Sequence, residues 1–300
     1  MSLESSPCHW RVLEFFAGIG GLAAAWPAAN VVAAIDINRH AEATYRRNHP
    51  HPFLVREIEA LGDAELQSWN ANCWWLSPPC QPYSRRGHQH DLQDPRARPL
   101  LRLIEAIQVC RPGAIAVENV VGFESSHACE QLRHTLHTAG YHLAELTLCP
   151  SQLQWPNRRP RVYLLASLRP LRPWQPLLQY QQSLAGLIEQ DISLEHSTLW
   201  LDDALASRYA TALDRVDPRQ TTAVTACFAG SYGKTLLRSG SYLFDRGRYR
   251  RFSPREVARL MGFPDAFQLA DLPDRTAWKL LGNSLSLPAV RYVLAHLPAC

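Results

Sequence analysis

Through the first half of the chain, short apolar, β-branched runs alternate with stretches whose apolar positions recur every three to four residues. This is the rhythm of strands alternating with amphipathic helices. It predicts strands near Val12–Phe16, Val31–Ile35, Phe53–Val55, Cys73–Leu76, Ala114–Glu118, His142–Thr147 and Arg161–Ser167. Helices are predicted near Arg39–Asn48, Ala64–Ala71, Arg98–Cys110 and Ser126–Ala139. In the helix over 98–110, Leu100, Leu103, Ile104 and Ile107 fall on one face. Such alternation builds an open α/β sheet of parallel strands with helices on both faces.

From Leu168 to about Phe252 the rhythm stops, and Pro170, Pro173, Pro176, Gln179, Gln181 and Gln182 crowd the chain. A second, smaller lobe is placed at 169–252, with 1–168 and 253–300 forming the main domain. Helical punctuation returns at Ser253-Pro254-Arg255-Glu256, a capping box with proline at the first helical position, and stops at Gly262-Phe263-Pro264. A further helix is predicted from Asp274 towards Leu281. A last one begins near Pro288, with Val290, Val293 and Leu294 on one face.

Composition narrows the class. With 300 residues, 46% hydrophobic and 19% charged, the chain can bury a sizeable core and is neither disordered nor collagenous. No apolar run reaches membrane-spanning length, and Met1 to Trp10 lacks the pattern of a secretory signal, so a cytoplasmic protein without membrane contact is expected. The eight cysteines (8, 73, 80, 110, 129, 149, 227, 300) show no CxxC and no histidine partners at zinc-ligand spacing, so no metal is expected. The net charge of +4 is modest, but Cys227 to Phe252 holds Lys234, Arg238, Arg246, Arg248, Arg250 and Arg251 against Asp245 alone. With Tyr232, Tyr242 and Tyr249 between them, these residues suit a phosphate-rich, base-bearing partner. A solvated charged face fits the composition equally well.

Four sites carry candidate chemistry. Phe15-Phe16-Ala17-Gly18-Ile19-Gly20-Gly21-Leu22-Ala23 follows the first strand and opens a helix, so bare backbone can approach a ligand there. With Asp36 ending the second strand, placed for ribose hydroxyls, this suits a dinucleotide or S-adenosylmethionine. Ser77-Pro78-Pro79-Cys80-Gln81-Pro82 lies beyond the fourth strand. Its prolines stiffen a loop in which Cys80, near Arg85 and Arg86, could form a stabilised thiolate nucleophile. Glu118 ends the fifth strand at the same edge, where partial desolvation would favour a protonated acid able to donate to a ring nitrogen. Arg159 and Arg161, two apart in an extended run, project from one face and could together hold an anionic or carbonyl-bearing ligand.

In order along the chain, Phe16-Ala17-Gly18-Ile19-Gly20-Gly21, Ser77-Pro78-Pro79-Cys80-Gln81-Pro82, Glu118-Asn119-Val120, Arg159-Pro160-Arg161 and Leu281-Gly282-Asn283-Ser284 resemble the motifs of the cytosine-C5 methyltransferase family. Val32 to Asn38, Gly122-Phe123-Glu124, and Cys227-Phe228 followed by Tyr232-Gly233 resemble the branch that methylates a cytosine in the anticodon loop of tRNA-Asp. The resemblance implies a Rossmann-like methyltransferase sheet with a smaller target-recognition lobe. It implies a tRNA substrate, cytosine 38 of tRNA-Asp, with S-adenosylmethionine as donor, S-adenosylhomocysteine as product and a monomeric enzyme.

By the same resemblance, Cys80 would attack C6 of the cytosine and Glu118 would contact N3. Arg159 and Arg161 would hold the base and the nucleophile's loop, while Asn119 would orient neighbouring backbone. The cofactor would be lined by Phe16, Gly18, Ile19, Gly20, Gly21, Asp36 on the ribose, Ile37 against adenine, Ile58, Pro78, Asn283 and Ser284. Nucleic acid would meet Arg85, Arg86, Arg96, Cys227, Phe228, Tyr232, Lys234, Arg248, Arg250 and Arg251. The loop from Tyr83 to Arg98 would close over the target, with His88 and His90 contacting solvent or phosphate.

One departure stands out: Ala229 occupies a position where the tRNA-type branch carries threonine. The alternative is a DNA cytosine-C5 methyltransferase of the restriction-modification type, with DNA as a weak or alternative substrate. The short span from Arg169 to Ala226 disfavours it. A nicotinamide-dependent oxidoreductase would explain the glycine loop and Asp36 but leave Cys80, Glu118 and Asn283 without a role. A catalytically silent nucleic-acid-binding protein would leave the intact Cys80, Glu118 and Arg161 unexplained.

Overall fold

The computed structural model describes residues 10–83, 91–190, 192 and 199–299. The chain divides into two compact units: Met1–Leu148 with Pro160–Pro176 and Arg291–Cys300, and Cys149–Arg159 with Leu177–Val290.

The first unit is an α/β sheet flanked by helices. In chain order it holds β1 (Arg11–Phe15), α1 (Gly21–Ala25), β2 (Asn30–Asp36), α2 (Arg39–Asn48), β3 (Phe53–Val55), α3 (Asp63–Ser68), β4 (Cys73–Leu76), α4 (Arg98–Cys110), β5 (Ala114–Val120), α5 (His127–Thr138), β6 (His142–Leu148) and β7 (Arg161–Ser167). The strand order is β3-β2-β1-β4-β5-β7-β6. The first five in that order run parallel, as expected. β7 is antiparallel to both β5 and β6, which the strand-helix rhythm did not reveal.

Alternation along the strands separates two buried faces. Leu13, Phe15, Ala33, Ile35, Trp74, Leu76, Ile115, Val117, Leu164 and Ala166 share one apolar cluster with Leu66 of α3, Leu100, Leu103, Ile104 and Ile107 of α4, and Leu132 and Leu136 of α5. Glu14, between Leu13 and Phe15, turns to the other face and is only 1% exposed. There Tyr45 of α2 donates its hydroxyl proton to Glu14 Oε2 (3.1 Å), and the Tyr45 hydroxyl oxygen lies 3.2 Å from His51 Nδ1. The backbone N–H groups of Leu22 and Ala23 also reach Glu14, so this carboxyl caps the first turn of α1 from inside the protein.

Two boundaries differ from expectation. α3 ends at Ser68 rather than continuing to Ala71, because Asn70 turns left-handed (φ 49°) and the carbonyls of Trp69 and Asn70 accept from the Arg11 side chain. β5 runs past Glu118 to Val120, because β7 pairs with it out to Arg161.

The second unit contains α6 (Asp203–Arg208), β8 (Arg215–Val216), β9 (Tyr242–Asp245), β10 (Arg248–Arg251), α7 (Pro254–Met261) and α8 (Asp274–Gly282). Near the chain's end lies α9 (Leu287–Leu294). Arg246 and Gly247 both have positive φ (46° and 80°), the requirement of a tight two-residue hairpin turn between β9 and β10. Phe228, Tyr232, Tyr242, Phe252 and Trp278 form an aromatic core. Tyr232 packs at 4.9 Å from Phe228 and 5.3 Å from Trp278, and its hydroxyl donates to the Ser241 carbonyl.

Residues 253–290, placed with the main domain by sequence, cluster with this second unit. The capping box explains why: Ser253 Oγ accepts from Glu256 N–H, and Glu256 Oε2 accepts from Ser253 N–H. The same carboxylate takes a two-pronged bond from Arg250 (2.7 and 2.8 Å), with both side chains fully buried.

Two expectations follow. Burial pushes the Glu14 carboxyl from 4.5 up to about 8, against the opposing pull of Tyr45 and the α1 amides. The folded state thus keeps a proton that the unfolded chain releases. The stability this supplies is complete below pH 4.5 and is lost as pH rises through about 8. Urea unfolding across that range should therefore show wild type losing stability relative to Glu14→Gln. A pH-independent difference would contradict the assignment. Glu256→Ala removes the two-pronged partner of the buried Arg250, leaving it Asp245 (3.2 Å from Nε) as its acidic partner, and should cost about 3 kcal/mol in the same assay.

Candidate active site

Strand register gathers the chemistry of the first unit on one edge. Phe15 lies opposite Ile35 and Leu76, Leu76 opposite Val117, and Val120 opposite Arg161. The turn after β1, the loop after β4, the end of β5 and the start of β7 therefore emerge together. β1 lies between β2 and β4, where the strand order reverses, and ligands of open α/β sheets bind at that crevice.

In the turn after β1, Phe16, Gly18 and Gly20 take positive φ (56°, 54° and 86°). Gly20 has no alternative, since a Cβ there would stand 2.5 Å from the His49 ring. Burial pushes that histidine down to about 4, keeping it neutral beneath the turn. A Cβ on Gly18, by contrast, would meet nothing within 4 Å, so the backbone there borders open space. Gly21 begins α1. Asp36 Oδ2 accepts from Gly18 N–H (2.8 Å) and Oδ1 from Asn38 N–H (2.9 Å), so the carboxylate is fixed by backbone on both oxygens. Burial raises its pKa while these donors oppose the rise.

Ile37, next in the chain, is a large apolar side chain left 67% exposed. Open space at Gly18, a held carboxylate and an uncovered apolar side chain beside it fit an adenosine-bearing cofactor. Ile19 (1%) and Ile58 (4%) are buried, and Ile58 belongs to the apolar cluster under the sheet, so neither lies open for cofactor contact.

In the loop after β4, Pro78 is buried and its carbonyl accepts from Asn119 Nδ2 (3.2 Å). Asn119 Oδ1 in turn accepts from Val120 N–H (2.8 Å). Cys80 is half-buried, and its carbonyl accepts from Tyr83 N–H (3.1 Å), closing a turn. Glu118 is 7% exposed and its Oε1 lies 3.1 Å from Arg161 Nε, a charge pair largely withdrawn from water. Arg96 is forked onto Asp94 (2.8 and 2.6 Å). It binds its proton more tightly than an ordinary arginine, first through that hydrogen bond and also through the charge of Cys80. Arg85, Arg86, His88 and His90 lie outside the described residues.

In the second unit Arg159 is 3% exposed. Its guanidinium donates to the carbonyls of Phe228 (3.3 Å), Gly282 (3.1 Å) and Ser284 (2.5 Å), with Cys227 Sγ at 3.4 Å. It thus ties together the two motifs around Cys227 and Asn283, instead of presenting its guanidinium beside Arg161 to a base. A Cβ on Gly282 would stand 2.5 Å from Ala229 C, so these motifs pack backbone against backbone.

The expected nucleic-acid contacts divide sharply. Phe228 and Tyr232 (1% each) and Arg250 (0%) are interior residues, held by the aromatic core and by Glu256, and offer no surface to RNA. Cys227 and Arg251 are half-buried. Lys234 and Arg248 are exposed, Arg248 pairing with Asp203 at 3.2 Å and resting over the Trp200 ring. Arg246 also stands over Trp200, which sequence reading missed. Sequence reading also passed over Glu14, although a carboxylate inside the apolar run Val12 to Phe16 was a visible signal, and over Asp94, which had none. Among the described residues no cluster of three or more histidine, cysteine or acidic side chains could hold a metal, and no helix is long and apolar enough to cross a membrane.

Comparison with known proteins covers nearly the whole chain. The family described as C-5 cytosine-specific DNA methylase matches residues 10–298. A protein of Schizosaccharomyces pombe named tRNA (cytosine(38)-C(5))-methyltransferase is 32% identical over 319 residues, covering 96% of each chain. Among solved structures, the Entamoeba histolytica methyltransferase EhMeth superposes with a TM-score of 0.87 at 26% identity, covering 96% of this chain and 98% of that one. The S. pombe Dnmt2 methyltransferase gives 0.84 at 28% identity, with the same coverage. The sheet order, the one-edge placement of Cys80, Glu118 and Arg161, and this end-to-end match agree: the chain belongs to the C-5 cytosine methyltransferase family.

Proposed function

We propose that this protein is an S-adenosylmethionine-dependent methyltransferase acting on cytosine 38 in the anticodon loop of tRNA-Asp, working as a cytoplasmic monomer. The observation that carries the reading is the likeness to the S. pombe tRNA (cytosine(38)-C(5))-methyltransferase, which spans 96% of both chains and so includes the second unit. An unpaired loop nucleotide also leaves its stack at low cost, which suits a pocket that must take in a single base.

In this reading the Cys80 thiolate adds to C6 of the cytosine, forming a C–S bond. The C5=C6 electron pair moves to C4–C5 and the C4=N3 pair onto N3, which takes a proton that Glu118, paired with Arg161 as a carboxylate in this structure, must first acquire when the base enters; C5 thereby becomes an enamine carbon. Arg161, 3.1 Å from Glu118, orients that carboxyl. Phe16, Gly18, Asp36 and Ile37 would hold the cofactor, which when bound supplies an electrophilic methyl carbon on a sulfonium and leaves as S-adenosylhomocysteine. Once C5 carries the methyl group, the N3 proton returns to Glu118, the C5 proton passes to water, and the C5–H electron pair forms C5=C6 as the C6–S pair leaves with Cys80. Lys234 and Arg248, both exposed, remain the candidates for phosphate contacts.

Labelled methyl transfer from S-adenosylmethionine to tRNA and to duplex DNA, run side by side with mapping of the modified base, tests the reading. Label at cytosine 38 of tRNA-Asp is expected, with none from Cys80→Ala despite retained cofactor binding. Preferential labelling of DNA would move the substrate assignment to the DNA branch, and an active Cys80→Ala would remove the thioether route. Replacing Lys234 and Arg248 with glutamine should reduce the slope of log affinity for tRNA against log salt by about 1 for each phosphate that is no longer neutralised. An unchanged slope would place the RNA elsewhere.

A further inference from the structure

We infer that Gly122 is a positioning residue for the nucleophile, its missing side chain setting where the Cys80 loop sits relative to Glu118. The inference rests on Cys80 being the nucleophile. The stretch directly after Glu118 holds the Cys80 loop on both flanks. Ahead of the cysteine, Asn119 Nδ2 bonds the Pro78 carbonyl at 3.2 Å. Behind it, the Tyr83 carbonyl lies where a Cβ on Gly122 would be only 2.3 Å away. Gly122 has no positive φ, so nothing in its own backbone demands glycine; only this close approach does.

The approach is made rigid by the next residue. Phe123, 1% exposed, meets the ring of Tyr83, 3% exposed, edge-on at 4.9 Å, and Tyr83 N–H closes the turn onto the Cys80 carbonyl. The buried Tyr83 hydroxyl has no hydrogen-bond partner among the described residues. Five consecutive residues, Glu118 to Gly122, therefore carry the acid and set the height of the loop that bears the thiol. A methyl group at Gly122 would push the Tyr83 carbonyl outward, and the turn would carry Cys80 with it. Displacement of a reacting group by about 1 Å costs on the order of 100-fold in rate.

The test compares Gly122→Ala, Phe123→Leu and Cys80→Ala with wild type. For Gly122→Ala we expect kcat to fall about 10- to 100-fold. The KM for S-adenosylmethionine and the thermal midpoint should stay close to wild type. The rate of iodoacetamide alkylation of Cys80, followed by peptide mass spectrometry, should change while that of Cys110 does not, a readout that a general loss of stability would not single out. Phe123→Leu, which leaves the backbone contact but loosens the ring pair, should show the same pattern more weakly, and decides the matter if Gly122→Ala does not fold. Wild-type kcat and Cys80 alkylation in Gly122→Ala, with Cys80→Ala inactive, would overturn the inference and leave the nucleophile assignment standing. An active Cys80→Ala would instead remove the reading on which the inference rests.

Discussion

The antiparallel entry of β7 beside β5 is the constraint on which the first unit's chemistry depends. A parallel strand in that place would begin at the far edge of the sheet. Running backwards, β7 begins at Arg161 opposite Val120, beside the end of β5 that carries Glu118. The guanidinium reaches the carboxyl across two neighbouring strands, and ladder hydrogen bonds on either side fix the pair. The partial desolvation of both charges follows from their place in the sheet and needs no loop to fold over them.

Much of this was legible in the chain. Seven strands and the main helices fell within a few residues of their predicted bounds, because a strand buried on both faces and an amphipathic helix leave different periods in the sequence. The edge placement of the glycine turn, Cys80 and Glu118 followed from the same rhythm. The direction of β7 did not, since hydrophobic alternation is blind to strand polarity. Nor could it show β5 continuing past Glu118, because the extra residues are held by pairing with Arg161 and not by their own propensity.

The second unit was harder to read, and for a different reason. Arginine and tyrosine are commonest at surfaces, and a basic, aromatic run suggests nucleic acid. Here Arg250 is interior because Glu256 is placed by its helix cap to receive it, and Tyr232 is interior because the Ser241 carbonyl takes its hydroxyl proton. Those partners lie six and nine residues away, at spacings no periodic pattern marks. The motif around Cys227 is thus legible as a motif, but its aromatic residues hold the core of the unit. The exposed charge sits on Lys234, Arg238, Arg246 and Arg248.

The Arg159 guanidinium also bears on how the molecule is made. Its carbonyl partners lie 69, 123 and 125 residues further along the chain. At roughly 5–20 residues per second, synthesis of the intervening 125 residues takes about 6–25 s, during which this cation lacks the full set of partners that later enclose it. Contacts of such long separation form late. The two motifs that Arg159 joins therefore come together only after Ser284 has left the ribosome, and the interval before that closure is when a folding helper would find the most exposed surface to bind.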